Sequence, residues 1–335
     1  MFFHYWHGSS KTLDAFFKAQ TKTTNIYMKN KLLSLASLLA VFNANAIEIG
    51  PTGSGIEFGG FIDVFYQSQD NDDAAATAEG VDTRDDYLDV GQVELNFDYT
   101  TGAVSASVDI DFGLESEVNL EEAVITYDFG NGLSVSGGKM LSYTGFEAYD
   151  PINMYQFSYA YDAADGFSGG QDVYDAYDDG MSIDYSTDAF SIGLWSSIEE
   201  DGGFEYAFAF TGIENLTFKA IMADWDTYEI YTYWASYQLG NLLIGAEVAE
   251  KDNVGADDID AFLIMGNYAI TDSAAITLRY SEQEIGASTY EKFTISPSYV
   301  FNDAFSGLVE YSTYDESAGA TEINDLFAVE LIYTF

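Results

Sequence analysis

The sequence contains no cysteine and only two histidines, His4 and His7, which both precede a segment that we expect to be removed. A catalytic Ser-His-Asp or Cys-His arrangement needs a base that titrates near neutral pH, and the remaining chain has no such base. The usual ligands of zinc are missing for the same reason. The composition therefore predicts a protein that is not an enzyme and that holds no metal ion and no other cofactor.

Basic residues are also scarce, with 11 Lys and Arg against 56 Asp and Glu and a formal net charge of -45. Nucleic-acid binding needs cations at the phosphates, so we expect no nucleic-acid partner. Long apolar runs are missing after residue 46, where no stretch approaches the roughly 18 to 20 apolar residues of a membrane helix. Since 47% of the residues are hydrophobic and 16% are aromatic, the chain nevertheless has ample apolar surface to fold.

Residues 28–46 read MKNKLLSLASLLAVFNANA, with a basic start, an apolar core and a final Ala-Asn-Ala. This three-part pattern is typical of a secretory signal peptide. We predict cleavage before Ile47, and we interpret residues 1–27 as an upstream extension that results from a start assigned too early. Five of the 11 bases and one of the 56 acids precede Ile47, so the mature chain has six bases, 55 acids and a formal charge of -49.

The mature chain is built from segments in which apolar and polar residues alternate. In QVELNFDY (92–99) and AVSASVDIDF (103–112) every second residue is apolar or small, and a short Thr-Thr-Gly turn separates the two segments. This pattern predicts β-hairpins with one apolar face. Sixteen such segments lie near 56–69, 84–100, 103–114, 117–129, 132–142, 178–187, 189–198, 204–212, 215–225, 228–239, 241–251, 259–271, 274–284, 290–302, 304–314 and 323–335.

The connections between these segments alternate in kind. TTG, GNG, STD, IEN, LGN, TDS and FND are tight, whereas the other connections are longer or more acidic. An even number of strands with short turns at one end and long loops at the other is typical of outer-membrane barrels. We therefore predict an all-β fold, a transmembrane antiparallel β-barrel of about 16 strands with short periplasmic turns and long extracellular loops.

The last residues, FAVELIYTF, continue the alternation to the final Phe335, with Tyr333 and Leu331 on the same face. In a closed barrel the last strand pairs with the first, so that no open edge meets lipid. We expect the ring of Phe335 to lie in an interfacial aromatic girdle. The pattern of Phe335, Tyr333 and Leu331 also resembles the C-terminal signature that delivers outer-membrane barrels to the barrel-assembly machinery.

The mature chain, residues 47–335, resembles the sixteen-stranded porins of Gram-negative bacteria. The segment IEFGGFIDVFYQSQ (56–69) is similar to the opening strand of that family, and the longest connection, residues 143–177, lies where the family has a loop that folds inward and narrows the pore. An OmpL-like group of β-barrel porins fits the same features. The resemblance implies location in the outer membrane, contact with its lipid and lipopolysaccharide, passage of small hydrophilic solutes and cations, and a homotrimer as one assembly.

The resemblance also defines candidate pore residues. The family sets acidic loop groups against basic wall groups, which creates a transverse field across the pore. Placing Lys or Arg at the lipid midplane would cost roughly 2 to 4 kcal/mol, which independently favours an inward orientation of the strand bases. The candidates are the loop acids Glu147, Asp150, Asp162, Asp165, Asp172 and Asp175, the wall bases Lys219, Arg279 and Lys292, and the wall acids Asp109, Asp111 and Glu205.

Two further features leave alternatives open. The acidic segment 70–73 offers oxygen ligands for Ca²⁺, but it lacks the spacing of a dedicated calcium loop, so we expect a solvated loop. Trp195 and Trp234 fall on the inward sets of their strands, where they would suit a track for sugars, although packing at strand ends near the membrane interface is the stronger prediction.

We predict a passive, cation-preferring diffusion channel, because rings of Asp and Glu concentrate cations in other channels. Two alternatives stay open from the sequence. One is a solute-specific channel with a binding site in the lumen, and the other is a non-conducting barrel with a structural or adhesive role.

Overall fold

The computed structural model describes residues 47–48, 54–71, 84–113, 118–163, 171–199, 202–317 and 323–335. The predicted signal peptide (28–46) and upstream extension (1–27) lie outside these ranges. Within them, no helix has the length and apolar character that crossing a bilayer requires.

The described chain consists almost entirely of β-strands. A two-residue strand, β1, precedes sixteen longer strands, and all sixteen segments expected from the alternation are strands whose ends lie within two residues of the predicted ones. The strands are β1 (Ile47–Glu48), β2 (Ile56–Asn71), β3 (Arg84–Thr101), β4 (Val104–Phe112), β5 (Val118–Asp128), β6 (Leu133–Leu141), β7 (Tyr177–Ser186), β8 (Phe190–Ser197), β9 (Phe204–Ile213), β10 (Leu216–Trp225), β11 (Tyr228–Leu239), β12 (Leu242–Asn253), β13 (Ile259–Ala269), β14 (Ala274–Ile285), β15 (Ser288–Asn302), β16 (Phe305–Glu316) and β17 (Ile323–Thr334).

Strands β2 to β17 form a closed antiparallel barrel. Each strand pairs with its neighbour in the chain, and β17 pairs with β2. At the seam, Phe335 and Gly60 exchange two backbone hydrogen bonds of 3.0 and 3.1 Å. A Cβ at Gly60 would overlap the carbonyl oxygen of Glu94 and would lie 2.9 Å from the ring of Phe335, so glycine allows both to approach. The predicted sixteen-stranded barrel and the pairing of its last strand with its first are confirmed.

The alternation separates an apolar outer surface from a polar interior. Leu278 and Phe293 are 46% and 48% exposed on the outside, whereas the adjacent Arg279 and Lys292 are 1% and 3% exposed inside. A lipid-facing apolar band around a polar lumen is the arrangement expected of an outer-membrane barrel.

The tight connections all lie at one end of the barrel, which we call the turn end. Gly102, Gly240 and Asn215 adopt left-handed backbone angles there, with φ of 60°, 59° and 64°. The opposite end, the loop end, carries the longest connection, residues 142–176, between β6 and β7. Two connections at the loop end are also short, since only residues 226–227 and 286–287 join their strands.

Candidate functional site

The described residues of the segment 142–176, which we call the inner loop, lie inside the barrel. Residues 164–170 of this segment are outside the described ranges. A short 3-10 turn, Pro151–Asn153, interrupts the otherwise irregular backbone. The loop rests against the inward faces of strands β7 to β16, where wall side chains bind its backbone and its side chains.

Arg279 on β14 is the largest of the fully buried wall groups. Its Nη1 forms an ion pair of 2.5 Å with Glu147 Oε1, and the two side chains are 0% and 2% exposed. The guanidinium also donates to the carbonyl oxygens of Ser158 at 2.8 Å and Tyr159 at 3.0 Å. Such charge-assisted bonds are stronger than neutral ones, so Arg279 holds the middle of the inner loop against the wall.

Lys292 on β15 forms the second ion pair. Its Nζ lies 2.6 Å from Asp162 Oδ2 and donates to the carbonyl oxygen of Tyr159 at 2.7 Å. The ammonium also lies 4.7 Å from the centre of the Tyr314 ring. The charge of Asp162 is therefore compensated beneath the loop and does not face an open pore.

A wall carboxylate completes the attachment. Glu310 on β16 accepts hydrogen bonds from the backbone N–H groups of Phe157 at 2.7 Å and Ser158 at 3.0 Å, and from the Ser158 hydroxyl. On β14, Gln283 donates to Asp172 Oδ2 at 2.7 Å. These two contacts give buried polar groups of the loop hydrogen-bond partners on the wall.

The expected opposition of acidic loop groups and basic wall groups across the pore is wrong. Arg279 and Lys292 contact the loop acids directly, so these charges form pairs beneath the loop. Lys219, on β10, lies 5.1 Å from the centre of the Trp234 ring and is 3% exposed. The reason is that the loop packs on the same side of the barrel as the bases.

The open part of the lumen borders strands β3 to β5. Inward side chains there, such as Asp109 and Glu122, keep partial exposure, whereas Glu310 on β16 is fully buried under the loop. Glu94, Glu121 and Asp150 meet at this place, with one carboxylate oxygen of each within 4.8 Å of the others. We call these three residues the acidic cluster.

Amide side chains connect the acidic cluster. Gln92 Nε2 donates to Glu94 Oε2 at 3.0 Å and to Glu121 Oε2 at 3.4 Å. Burial and the nearby charge of Asp111 together raise the pKa of Asp150 to about 6. The cluster thus sets three carboxyl groups close together at the lumen.

A β-bulge places one member of the cluster. Asp109 pairs with Glu122, but the next residue, Ile110, pairs with Leu120, so Glu121 has no partner across the ladder. Bulges re-aim side chains in this way. The doublet Glu121-Glu122 interrupts the alternation in the sequence, and this signal could have identified Glu121 as a lumen residue that we missed.

The remaining predicted acids occupy different positions. Asp109 and Asp111 lie on β4 beside the acidic cluster, and Asn96 donates to Asp109 Oδ1 at 2.8 Å. Glu205, on β9, lies under the loop and accepts from the N–H of Tyr143 at 2.7 Å.

Asp175 belongs to the inner loop, and its carboxylate accepts two hydrogen bonds from wall aromatics. Asp165 lies outside the described ranges. Residues 72–83, which include half of the acidic segment 70–73 considered for calcium, also lie outside them.

The two inward tryptophans pack against the inner loop. Trp195 and Trp234 are 5% and 9% exposed and lie in one cluster with Tyr143. The ring centres of Trp234 and Phe146 are 5.4 Å apart. Both side chains are therefore packed, because the loop fills space inside the barrel. Trp195 lies near the end of β8, as expected, whereas Trp234 lies in the middle of β11.

No protein-family model matches the sequence, and a search of curated proteins finds no match. Solved structures are similar in fold. An anion-selective porin from Comamonas acidovorans superimposes with a TM-score of 0.63 at 13% identity, over 84% of this chain and 99% of that porin. The outer membrane channel DcaP of Acinetobacter baumannii gives 0.62 at 13% identity, over 86% and 100%. The trimer form of OmpT, an outer membrane protein of Vibrio cholerae, gives 0.57 at 16% identity, over 84% and 99%.

At these identities the likeness defines the fold. The chain is a sixteen-stranded barrel of the kind found in outer-membrane porins and channels of Gram-negative bacteria.

Proposed function

We propose that the protein is an outer-membrane porin, a passive channel for small hydrophilic solutes and ions that prefers cations. The acidic cluster of Glu94, Glu121 and Asp150 carries this proposal, because three carboxylates converge where the lumen is open. The bases that would offset them are engaged on the far side of the barrel, where Arg279 and Lys292 pair with loop acids.

The position of the charge favours selectivity. Carboxylates in a narrow passage between low-dielectric walls produce a focused potential that raises the local concentration of cations. The screening length is about 8 Å at physiological ionic strength, and screening matters little for an ion within a few ångströms of a charge. An ion that passes the acidic cluster would therefore experience little screening.

The fold does not set the sign of the selectivity. The Comamonas acidovorans barrel is described as anion-selective and shares the architecture, so the side chains in the lumen decide. The trimer form of OmpT supports a homotrimer for this chain as well. Outer-membrane lipid, lipopolysaccharide and the barrel-assembly machinery are the partners that this setting requires.

Planar-bilayer recording tests the proposal. In a KCl gradient we expect the parent protein to show a cation-selective reversal potential, and we expect the variant Glu94→Gln/Glu121→Gln/Asp150→Asn to lose most of it. A control that removes three exposed charges at the turn end, Asp188→Asn/Glu214→Gln/Asp272→Asn, should keep the parent value.

Three outcomes would contradict the proposal. Anion preference in the parent would overturn the acidic-lumen mechanism, and unchanged selectivity in the cluster variant would place the selective charge elsewhere. Absence of any conductance in well-folded protein would favour the non-conducting barrel. Saturable block by one solute class would instead favour a solute-specific channel.

A further inference from the structure

A second feature of the lumen lies at the loop end, away from the acidic cluster. A cavity of about 190 Å³ opens between the inner loop and the wall, among the ends of β6 to β11. One water molecule needs roughly 10 to 15 Å³ by the same measure, so the cavity has room for a small organic group. The lining residues that matter here are Tyr143, Asp175, Trp195, Glu205, Trp225 and Tyr228.

Aromatic rings form one continuous side of the cavity. The ring centres of Trp195 and Trp225 are 5.7 Å apart, and those of Trp225 and Tyr228 are 5.9 Å apart. Each indole lies against a glycine, because a Cβ at Gly180 would overlap Trp195 and a Cβ at Gly203 would overlap Trp225. The backbone is thus shaped to bring both tryptophans to this position.

Two carboxylates face the same space. Asp175 accepts from Trp225 Nε1 at 2.8 Å and from the Tyr228 hydroxyl at 2.9 Å, which fixes its orientation beside the rings. Glu205 accepts from the N–H of Tyr143 at 2.7 Å. A carboxylate offers about four acceptor positions, so both groups can accept further hydrogen bonds.

The charged side chains that line the cavity are all acidic, and one lysine lies nearby. Asp178 is a third lining carboxylate, and no Lys or Arg is among the described residues that line the cavity. Lys251 lies nearby, with its Nζ 4.7 Å from the centre of the Tyr228 ring and bonded to the carbonyl oxygen of Asp172 at 3.1 Å. The contact shows that a cation can lie against the Tyr228 ring in this environment.

We propose that this cavity binds an organic cation, an alkylated or quaternary ammonium group, between the aromatic side and the carboxylates of Asp175 and Glu205. Aromatic faces attract such cations through the ring quadrupole, and cages of aromatic side chains recognise quaternary ammonium ligands in other proteins. A neutral sugar would also stack on the rings. The negative charge of the acidic groups, however, attracts a cation and not a neutral ligand. Transport of this solute class rests on the proposed channel function. Binding in the cavity does not, since binding does not require conductance.

Tryptophan fluorescence tests the binding. The whole protein, refolded in detergent micelles, is titrated with choline chloride and with its neutral isostere 3,3-dimethylbutan-1-ol, each at constant ionic strength. We expect choline to change the tryptophan fluorescence saturably, because Trp195 and Trp225 both line the cavity. We expect no change with the isostere, because it has no positive charge. Equal responses to the two probes would overturn the cation site, and a saturable response to glucose or maltose with none to choline would assign the cavity to sugars.

Variants locate the site. Asp175→Asn should weaken choline binding about tenfold or more, since it removes one partner of a desolvated charge pair. Asp188→Asn, an exposed change at the turn end, should leave binding unchanged. If Asp175→Asn does not fold, Tyr228→Leu provides the second test, because it removes a ring and should also weaken binding. Binding that neither change affects would place the choline elsewhere and overturn the proposal.

Conductance of the same preparations separates the two proposals. A channel that conducts but gives no choline response refutes the cavity site alone. A protein that binds choline but does not conduct refutes the channel function and leaves the site in place.

Discussion

Replacement of Arg279 by methionine would test how the inner loop is held. The change removes an ion pair of 2.5 Å whose two side chains are 0% and 2% exposed, and leaves Glu147 buried without its cation. Breaking one partner of a buried pair costs about 3 to 5 kcal/mol. We therefore expect Arg279→Met to lower the free energy of unfolding by about this amount, or to release the loop from the wall.

A double-mutant cycle distinguishes the pair from general damage. Glu147→Gln should also be destabilising, because Arg279 would remain buried without a counter-charge. The double variant should be less destabilised than the sum of the single variants by about 2 kcal/mol or more, as is found for groups in direct contact. Urea unfolding of the refolded barrel gives these free energies, and single-channel recording reports loop release as a larger and noisier conductance.

Asp188→Asn is the matched control for the cycle. This exposed residue at the turn end has no contact with Arg279, so its effect should add to that of Arg279→Met. Additive effects of Arg279→Met and Glu147→Gln, with unchanged conductance in both, would refute the view that this pair holds the loop.

Two further predictions concern barrel assembly. Deletion of Phe335 should lower the amount of assembled barrel, since the residue lies at the seam. It should not change the conductance of the barrels that form, since the residue lies outside the lumen. An undiminished yield, measured by heat-modifiable gel mobility, would contradict this. Gly138→Ala should also lower the folded fraction, because a Cβ there would overlap the carbonyl oxygen of Ala123 and φ is 136°. Gly137→Ala is its control, with the nearest atom 3.8 Å away, and equal yields from the two variants would argue against the steric reason.

The barrel could be derived from the sequence because its cause is local. Apolar and polar residues must alternate in a strand that lies between lipid and a polar lumen. The polarity of residues such as Leu278 and Arg279 therefore indicates their orientation without reference to any other strand. The same rule predicted sixteen strands, the tight turns and the inward direction of the strand bases. The doublet Glu121-Glu122 interrupts strict alternation, since a bulge adds one residue to β5.

The arrangement inside the lumen was decided by the tertiary structure alone. The inner loop has no periodic pattern, and its partners are distant in the chain, as with Glu147 and Arg279, which are 132 residues apart. The sequence identified both as lumen charges, but composition cannot tell a carboxylate that is neutralised by a buried base from one that faces open water. The side of the barrel on which the loop packs decides that Glu147 and Asp162 are paired with bases, whereas Asp150 lies beside the acids of β3 and β5. Charge compensation depends on distances of a few ångströms between segments that are far apart in sequence, and only the tertiary structure sets these distances.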